Sequence, residues 1–216
     1  MIFLYAKNNF IMNNLNCNIC NGELSLFFGK GGREDIKCKN CYSCKRHRNL
    51  FKYFTETNIL NNKYILHFAP EKSISNFIKK CSKVYHCVDK YADKEYVSKT
   101  DINDMDSFKD NFFDIIICSH VLEHIPDDTK ALKEIHRILK KDGLLFISIP
   151  IDGDKTEIWS EEKIKKVHEK RKTIEYRDHY RTYGRVDAFN LFKEYFAEIY
   201  LSNEIMTFHD FFICKK

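Results

Sequence analysis

The stretch Phe113-Asp114-Ile115-Ile116-Ile117-Cys118 constrains this chain more than any other. An almost unbroken apolar run of this length is how a strand reads when both of its faces are buried. A second such run, Leu144 to Ile149, is closed by Pro150. Between them lies an amphipathic segment that can be capped by Asp127 or Asp128 and runs to about Lys140. Its apolar positions, Ala131, Leu132, Ile135, Ile138 and Leu139, recur at helical spacing. Lys140 and Lys141 suit the negative end of that helix, and Gly143 suits its stop. Two doubly buried strands joined by a helix predict a parallel sheet with helices on both faces.

The rest of the chain extends the alternation. Tyr64 to Phe68 reads as a strand. Residues 72–81 carry Ile74, Phe77 and Ile78 on one helical face, and Val84 to Val88 is a strand ending at Asp89. Asp101-Ile102 stands where a third strand would end. Residues 188–197 read as a helix, and Phe196–Leu201 with Phe208–Cys214 as a closing antiparallel pair. Residues 155–185 are charged and aromatic, with no buried strand. Upstream, Leu50, Phe51 and Phe54 give a helix an apolar face, with Lys45 to Arg48 at its start. At 216 residues and 44% hydrophobic content, the chain can bury one sizeable core with a small appendage.

The appendage is defined by cysteine. Five of the nine cysteines fall between residues 17 and 44. Cys17-x2-Cys20 is followed after seventeen residues by Cys38-x2-Cys41. Two such turns supply four thiolates to one tetrahedral ion, and a shell closed in this way is structural rather than catalytic. Zn2+ held by Cys17, Cys20, Cys38 and Cys41 is expected, with Cys44 redundant. The chain divides at residues 1–45, an N-terminal extension and zinc-knuckle module, and 46–216, the larger domain. Arg46 and Arg48, directly after the module, offer a basic prong for a carboxylate or phosphate.

The net charge is +5, far from that of a nucleic-acid tail. The N-terminal MIFLYAKNNFIM is too short to span a bilayer and lacks the features of an export signal. A cytoplasmic protein without a membrane partner is expected.

Ligands of a parallel sheet bind beyond the carboxyl ends of its strands. Asp89 is placed to take two ribose hydroxyls. Asp101 can accept from an adenine amino group, with Ile102 against the ring. The loop after the first strand, His67-Phe68-Ala69-Pro70-Glu71, contains no glycine. The run DIIICSHVLEHIPDDTKALKEIHRILKKDGLLFISIP resembles class I S-adenosylmethionine-dependent methyltransferases, strongly so over residues 64–150. More narrowly, the chain is similar to a bacterial subfamily with an N-terminal four-cysteine module, an Arg-His-Arg run, a Leu-His-Phe-Ala-Pro-Glu loop and an Asp-His-x-Arg-x-Tyr-Gly segment. Here these are Cys17 to Cys41, Arg46 to Arg48, Leu66 to Glu71, and Asp178 to Gly184.

The resemblance implies an α/β, Rossmann-like fold and S-adenosylmethionine as cofactor. In the broader family, glycines stand where this chain has Ala69, Glu71 and Ser73, and an acid stands at His67. A missing glycine weakens a pyrophosphate site more than a sulfonium site, because Glu71 repels phosphate but can accept the cofactor's ammonium. His67, Phe68, Ala69, Glu71, Asp89, Asp101, Ile102, Ser119 and His120 are therefore expected to hold the cofactor. His120, His124 and His179 are candidate bases, with Asp178 orienting His179. Arg177 and Arg181 join Arg46 and Arg48 as candidate ligands of a small polar, anionic or sugar-linked acceptor. An RNA methyltransferase using the zinc module as a clamp, and a non-enzymatic zinc-binding adaptor, stand as alternatives. The missing glycines argue against an NAD-linked dehydrogenase.

Overall fold

The computed structural model describes residues 16–28, 34–93, 95–171, 179–201 and 211–216. The apolar N-terminal stretch, Arg177, Asp178 and residues 208–210 of the expected closing pair lie outside the described residues. The chain opens with an antiparallel hairpin of β1 (Leu24–Phe28) and β2 (Glu34–Cys38), which separates the two cysteine pairs. Then follow α1 (Lys45–Thr57), β3 (Tyr64–Phe68), α2 (Lys72–Cys81), β4 (Val84–Asp89) and the short β5 (Ser98–Lys99). β6 (Phe113–Ser119), a 3-10 turn at Leu122–His124, α3 (Asp128–Ile138) and β7 (Leu139–Ser148) come next. The final third holds β8 (Glu157–Ile158), α4 (Glu161–Arg171), β9 (Arg181–Thr182), α5 (Arg185–Lys193), β10 (Glu198–Leu201) and β11 (Phe211–Lys215).

Seven strands form one sheet in the order β10-β11-β7-β6-β3-β4-β5. The strands from β7 to β5 run parallel, and β10 and β11 close the other edge antiparallel. Alternate residues of the central strands feed two cores. Leu66, Phe68, Ile116, Cys118, Leu145 and Ile147 pack with Leu132 and Ile135 of α3 and Phe192 of α5. Ile65, Ile115, Ile117 and Phe146 pack on the opposite face, with Leu50 and Phe54 of α1 and Ile74 and Ile78 of α2. Each of these buried side chains contributes roughly 1.5–3 kcal/mol, and the period of two divides them between the faces.

The chain passes from β3 to β4 on one side and then crosses to β6 on the other. The order of strands therefore reverses between β3 and β6, and a crevice opens at their carboxyl ends.

The helix before β7 ends earlier than its pattern suggests. α3 stops at Ile138, and Leu139 already pairs with Phe113. The register then jumps so that Ile115 meets Leu144. Lys140 pairs with Asp114 at 2.9 Å instead of lying at the helix end. Gly143 is not a helix stop: a Cβ there would lie 2.8 Å from the Lys140 carbonyl oxygen, so close backbone approach requires the glycine. α5 likewise begins ahead of the expected 188–197, directly after Gly184, where a Cβ would overlap the Lys155 backbone.

Candidate active site

The four cysteines converge. Cys17 Sγ lies 3.7 Å from Cys41 Sγ, and Cys20 Sγ lies 3.5 Å from Cys38 Sγ. All four sulfurs are within 4.8 Å of one another. Sulfurs about 2.3 Å from a common tetrahedral centre would be about 3.8 Å apart, so the set fits one ion. Backbone N–H groups of Asn40 and Cys41 point at Cys38 Sγ, at 3.4 and 3.5 Å. Burial would raise the Cys17 thiol, but the Ser43 hydroxyl and the Ile19 and Cys20 backbone bring it down to about 7. Burial pushes the Cys41 thiol up to about 12. Four thiolates this close need a cation to neutralise them.

Cys44 lies outside this set and caps α1. Its backbone and sulfur lie 3.3 and 3.5 Å from His47 Nδ1. His47 Nε2 faces Glu71 Oε1 at 3.4 Å, and Glu71 Oε2 meets His67 Nε2 at 2.9 Å. His67 Nδ1 lies 2.8 Å from the Tyr85 hydroxyl, and Ser73 Oγ is 3.1 Å from His47 Nδ1. A continuous polar chain thus runs from the first turn of α1, beside the cysteine cluster, to the loop after β3. Burial would lower His47, but Cys44 and Glu71 outweigh it and raise the ring to about 9. Burial would raise Glu71, and the His47 and His67 rings instead hold it well below the usual carboxylate range. Both Glu71 oxygens meet histidines behind the loop, so the carboxylate supports the loop.

Two turns line the crevice with non-glycine residues in the left-handed region: Ala69 at φ 45° and His120 at φ 52°. The Ala69 N–H donates to the Val88 carbonyl at 2.8 Å, and that of His120 to Ser148 at 2.8 Å. Phe68 and Ile102 are buried. Ser119 Oγ is buried and has no hydrogen-bond partner among the described residues. Asp89, at the end of β4, accepts from Tyr91 N–H at 2.6 Å. Asp101, two residues beyond β5, accepts from Asn103 N–H and pairs with Lys90 at 2.9 Å. The sheet therefore brings the residues expected around a nucleoside to one edge.

The expected acceptor side is assembled by the segment 179–184. Tyr180 N–H donates to the Glu123 carbonyl at 2.9 Å, and Trp159 N–H donates to the Tyr180 carbonyl at 2.8 Å. His179 is thereby set against His124, with ring centroids 4.6 Å apart, and against Trp159 at 5.3 Å. His120 Nδ1 lies 3.2 Å from Glu123 Oε1. Arg181 is buried, pairs with Asp128 and donates to the Pro126 carbonyl, contacts that anchor the segment. Arg48 is buried and donates to the Ser43 and Ile36 carbonyls at 2.6 and 2.8 Å, which ties the cysteine module to α1. Arg46 stays half-buried at the helix start.

Residues 64–147 match the family model described as a methyltransferase domain. They contain β3 to β6, all of β7 but its last residue, and both crevice turns. Over these residues the chain is similar to a methyltransferase domain. A protein of Methanocaldococcus jannaschii is 47% identical over 60 residues, 26% of this chain and 26% of that protein. A ubiquinone biosynthesis O-methyltransferase of Glaesserella parasuis is 53% identical over 36 residues, 17% of this chain and 15% of that enzyme. The matched stretches thus span about a quarter or less of these relatives. The solved 1,6-didemethyltoxoflavin N1-methyltransferase of Burkholderia thailandensis, with S-adenosylhomocysteine bound, superposes with a TM-score of 0.54 at 12% identity. That superposition covers 89% of this chain and 99% of that one, a likeness of fold.

Sequence alone assigns no role to His47, Tyr85 or Trp159, which the fold sets against Glu71, His67 and His179. Only His47 carried a signal, as the third helical residue after a cysteine that caps the helix. Among the described residues, no helix is long and apolar enough to cross a membrane.

Proposed function

We propose that this protein transfers a methyl group from S-adenosylmethionine to a small polar acceptor, and that Cys17, Cys20, Cys38 and Cys41 hold a structural Zn2+. The observation that carries this reading is the crevice between β3 and β6, flanked by the left-handed turns at Ala69 and His120, within the residues similar to a methyltransferase domain. Asp89 would receive the ribose hydroxyls, Asp101 the adenine amino group, and Ile102 the ring face. Phe68, Ala69, Ser119 and His120 would surround the remainder, with His67 and Glu71 fixing the loop from behind. When bound, the cofactor supplies an electrophilic methyl group on a sulfonium.

The chain's own task is to orient the acceptor and take its proton. His120 is the best-placed base: its side chain is about one-third exposed, and its Nδ1 is oriented by the buried Glu123. His124 and His179 line the same side, with Asp178 and Arg177 adjoining them in sequence. Arg46 remains a candidate ligand for an anionic acceptor. The boundary proposed between the cysteine module and the larger domain is 45/46, which leaves all of α1 but its first residue in the larger domain.

Calorimetry of the zinc-loaded chain with S-adenosylmethionine tests the reading. Saturable binding that is weakened at least tenfold by Asp89→Ala is expected. Absence of heat from folded, zinc-loaded protein would refute it and favour the adaptor.

A further inference from the structure

Glu123, His124 and His179 form a second cluster with the chemistry of a metal site. One ligand atom from each lies within 4.8 Å of the others. Two atoms bound to one ion at about 2.1 Å are at most about 4.2 Å apart, so a contraction of a few tenths of an ångström closes the set. The donors are two imidazoles and one carboxylate, a combination suited to a divalent first-row transition metal with coordination positions left open.

A second observation points to a ligand. Glu123 is 1% exposed, and its Oε2 has no hydrogen-bond partner among the described residues. His124 Nδ1 is buried in the same condition. An unpaired buried carboxylate oxygen is costly, and the two vacant acceptor atoms lie on neighbouring residues of one 3-10 turn. A cation would satisfy both.

The third donor is held in place by unrelated contacts. Tyr180 N–H on the Glu123 carbonyl, Arg181 on Asp128 and the Pro126 carbonyl, and the Tyr183 hydroxyl on Asp128 at 2.8 Å fasten the segment that leads from His179 into β9. Trp159 supports the His179 ring from the side, with Lys163 Nζ 4.5 Å above the indole.

We infer that Glu123, His124 and His179 bind a divalent transition-metal ion whose open positions take an oxygen of the acceptor. Glu123 Oε1 remains with His120 while Oε2 turns to the ion. A hydroxyl bound to such an ion loses its proton near neutral pH, with His120 to receive it, and stays on the metal as the oxyanion. The ion thereby selects acceptors with a hydroxyl group beside a second oxygen donor. Its role rests on the proposed transferase function, but its presence does not.

Untagged full-length protein, stripped by dialysis against chelator and reloaded with Co2+, provides the test. The wild type takes up a second equivalent beyond the cysteine site, and that equivalent lacks thiolate-to-cobalt charge-transfer absorption. His179→Ala and Glu123→Gln each lose that equivalent while keeping the thiolate absorption, which also reports that the cysteine module is folded. Binding of a single equivalent by the wild type, or retention of the second by both variants, would overturn the inference. Calorimetry with S-adenosylmethionine on the same samples separates loss of this site from failure of the transferase reading.

Discussion

Replacing His47 with glutamine tests whether the polar chain behind the cofactor loop is an ion pair. The ring is raised from 6.5 to about 9, mainly because Cys44 and Glu71 favour its charged form more than burial opposes it. Such a rise corresponds to about 3 kcal/mol of folding free energy. Because the folded value lies above the unfolded one, this contribution is complete below about pH 6.5 and disappears as pH rises through 9. Above that, the neutral ring can accept from the Cys44 N–H at 3.3 Å, which offsets part of the loss. For a chain of this size the loss amounts to a fall in Tm of roughly 6–12 °C across the window. Thermal unfolding followed by circular dichroism from pH 6 to about 9.5, with zinc content measured at each point, reads it directly. His47→Gln should melt lower at pH 6.5, since Glu71 loses a partner, and the gap to wild type should close as pH rises. Parallel curves for the two proteins would show that His47 is neutral throughout and that the pairing is ordinary hydrogen bonding.

Arg181→Met should cost about 3–5 kcal/mol in urea unfolding, because it leaves Asp128 and the Pro126 carbonyl without their partner. Adding Asp128→Asn should restore part of that, and no restoration would mean that the pair is not the source. Ala69→Gly should raise stability by up to about 1 kcal/mol, since φ 45° strains any residue with a Cβ. Ala69→Val should lower both the urea midpoint and the affinity for S-adenosylmethionine, whereas unchanged affinity would place the turn outside the cofactor site.

Much of the fold was legible in two apolar patterns. The unbroken apolar run of β6 announces a strand buried on both faces, and the helical spacing of Ile74, Ile78, Leu132 and Ile135 announces the helices that cover it. The cysteine spacing was equally direct, since Cys-x2-Cys geometry is local. Helix ends were less legible. Gly143 resembles a C-terminal stop, yet the paired register of β6 and β7 claims Leu139 for the sheet first. The partners of the arginines were illegible for a different reason. A guanidinium in a sequence looks available, but Arg48 and Arg181 find buried carbonyls and a carboxylate that only tertiary contacts supply.

The loop without glycine is where local and tertiary causes meet. Ala69 takes the left-handed conformation that glycine would adopt at lower cost. Something must hold it there, and the surrounding contacts are specific: the Ala69 N–H is fixed by Val88, and Glu71 is fixed by His67 and His47. His47 belongs to the first turn of α1, which Cys44 caps and Arg48 ties to β2. The cysteine module is therefore positioned to supply rigidity that the loop's own sequence lacks. On this reasoning, loss of the four-cysteine ion should loosen the turn at Ala69 before it unfolds the sheet. Cofactor affinity should then fall at chelator concentrations that leave the far-ultraviolet circular dichroism unchanged.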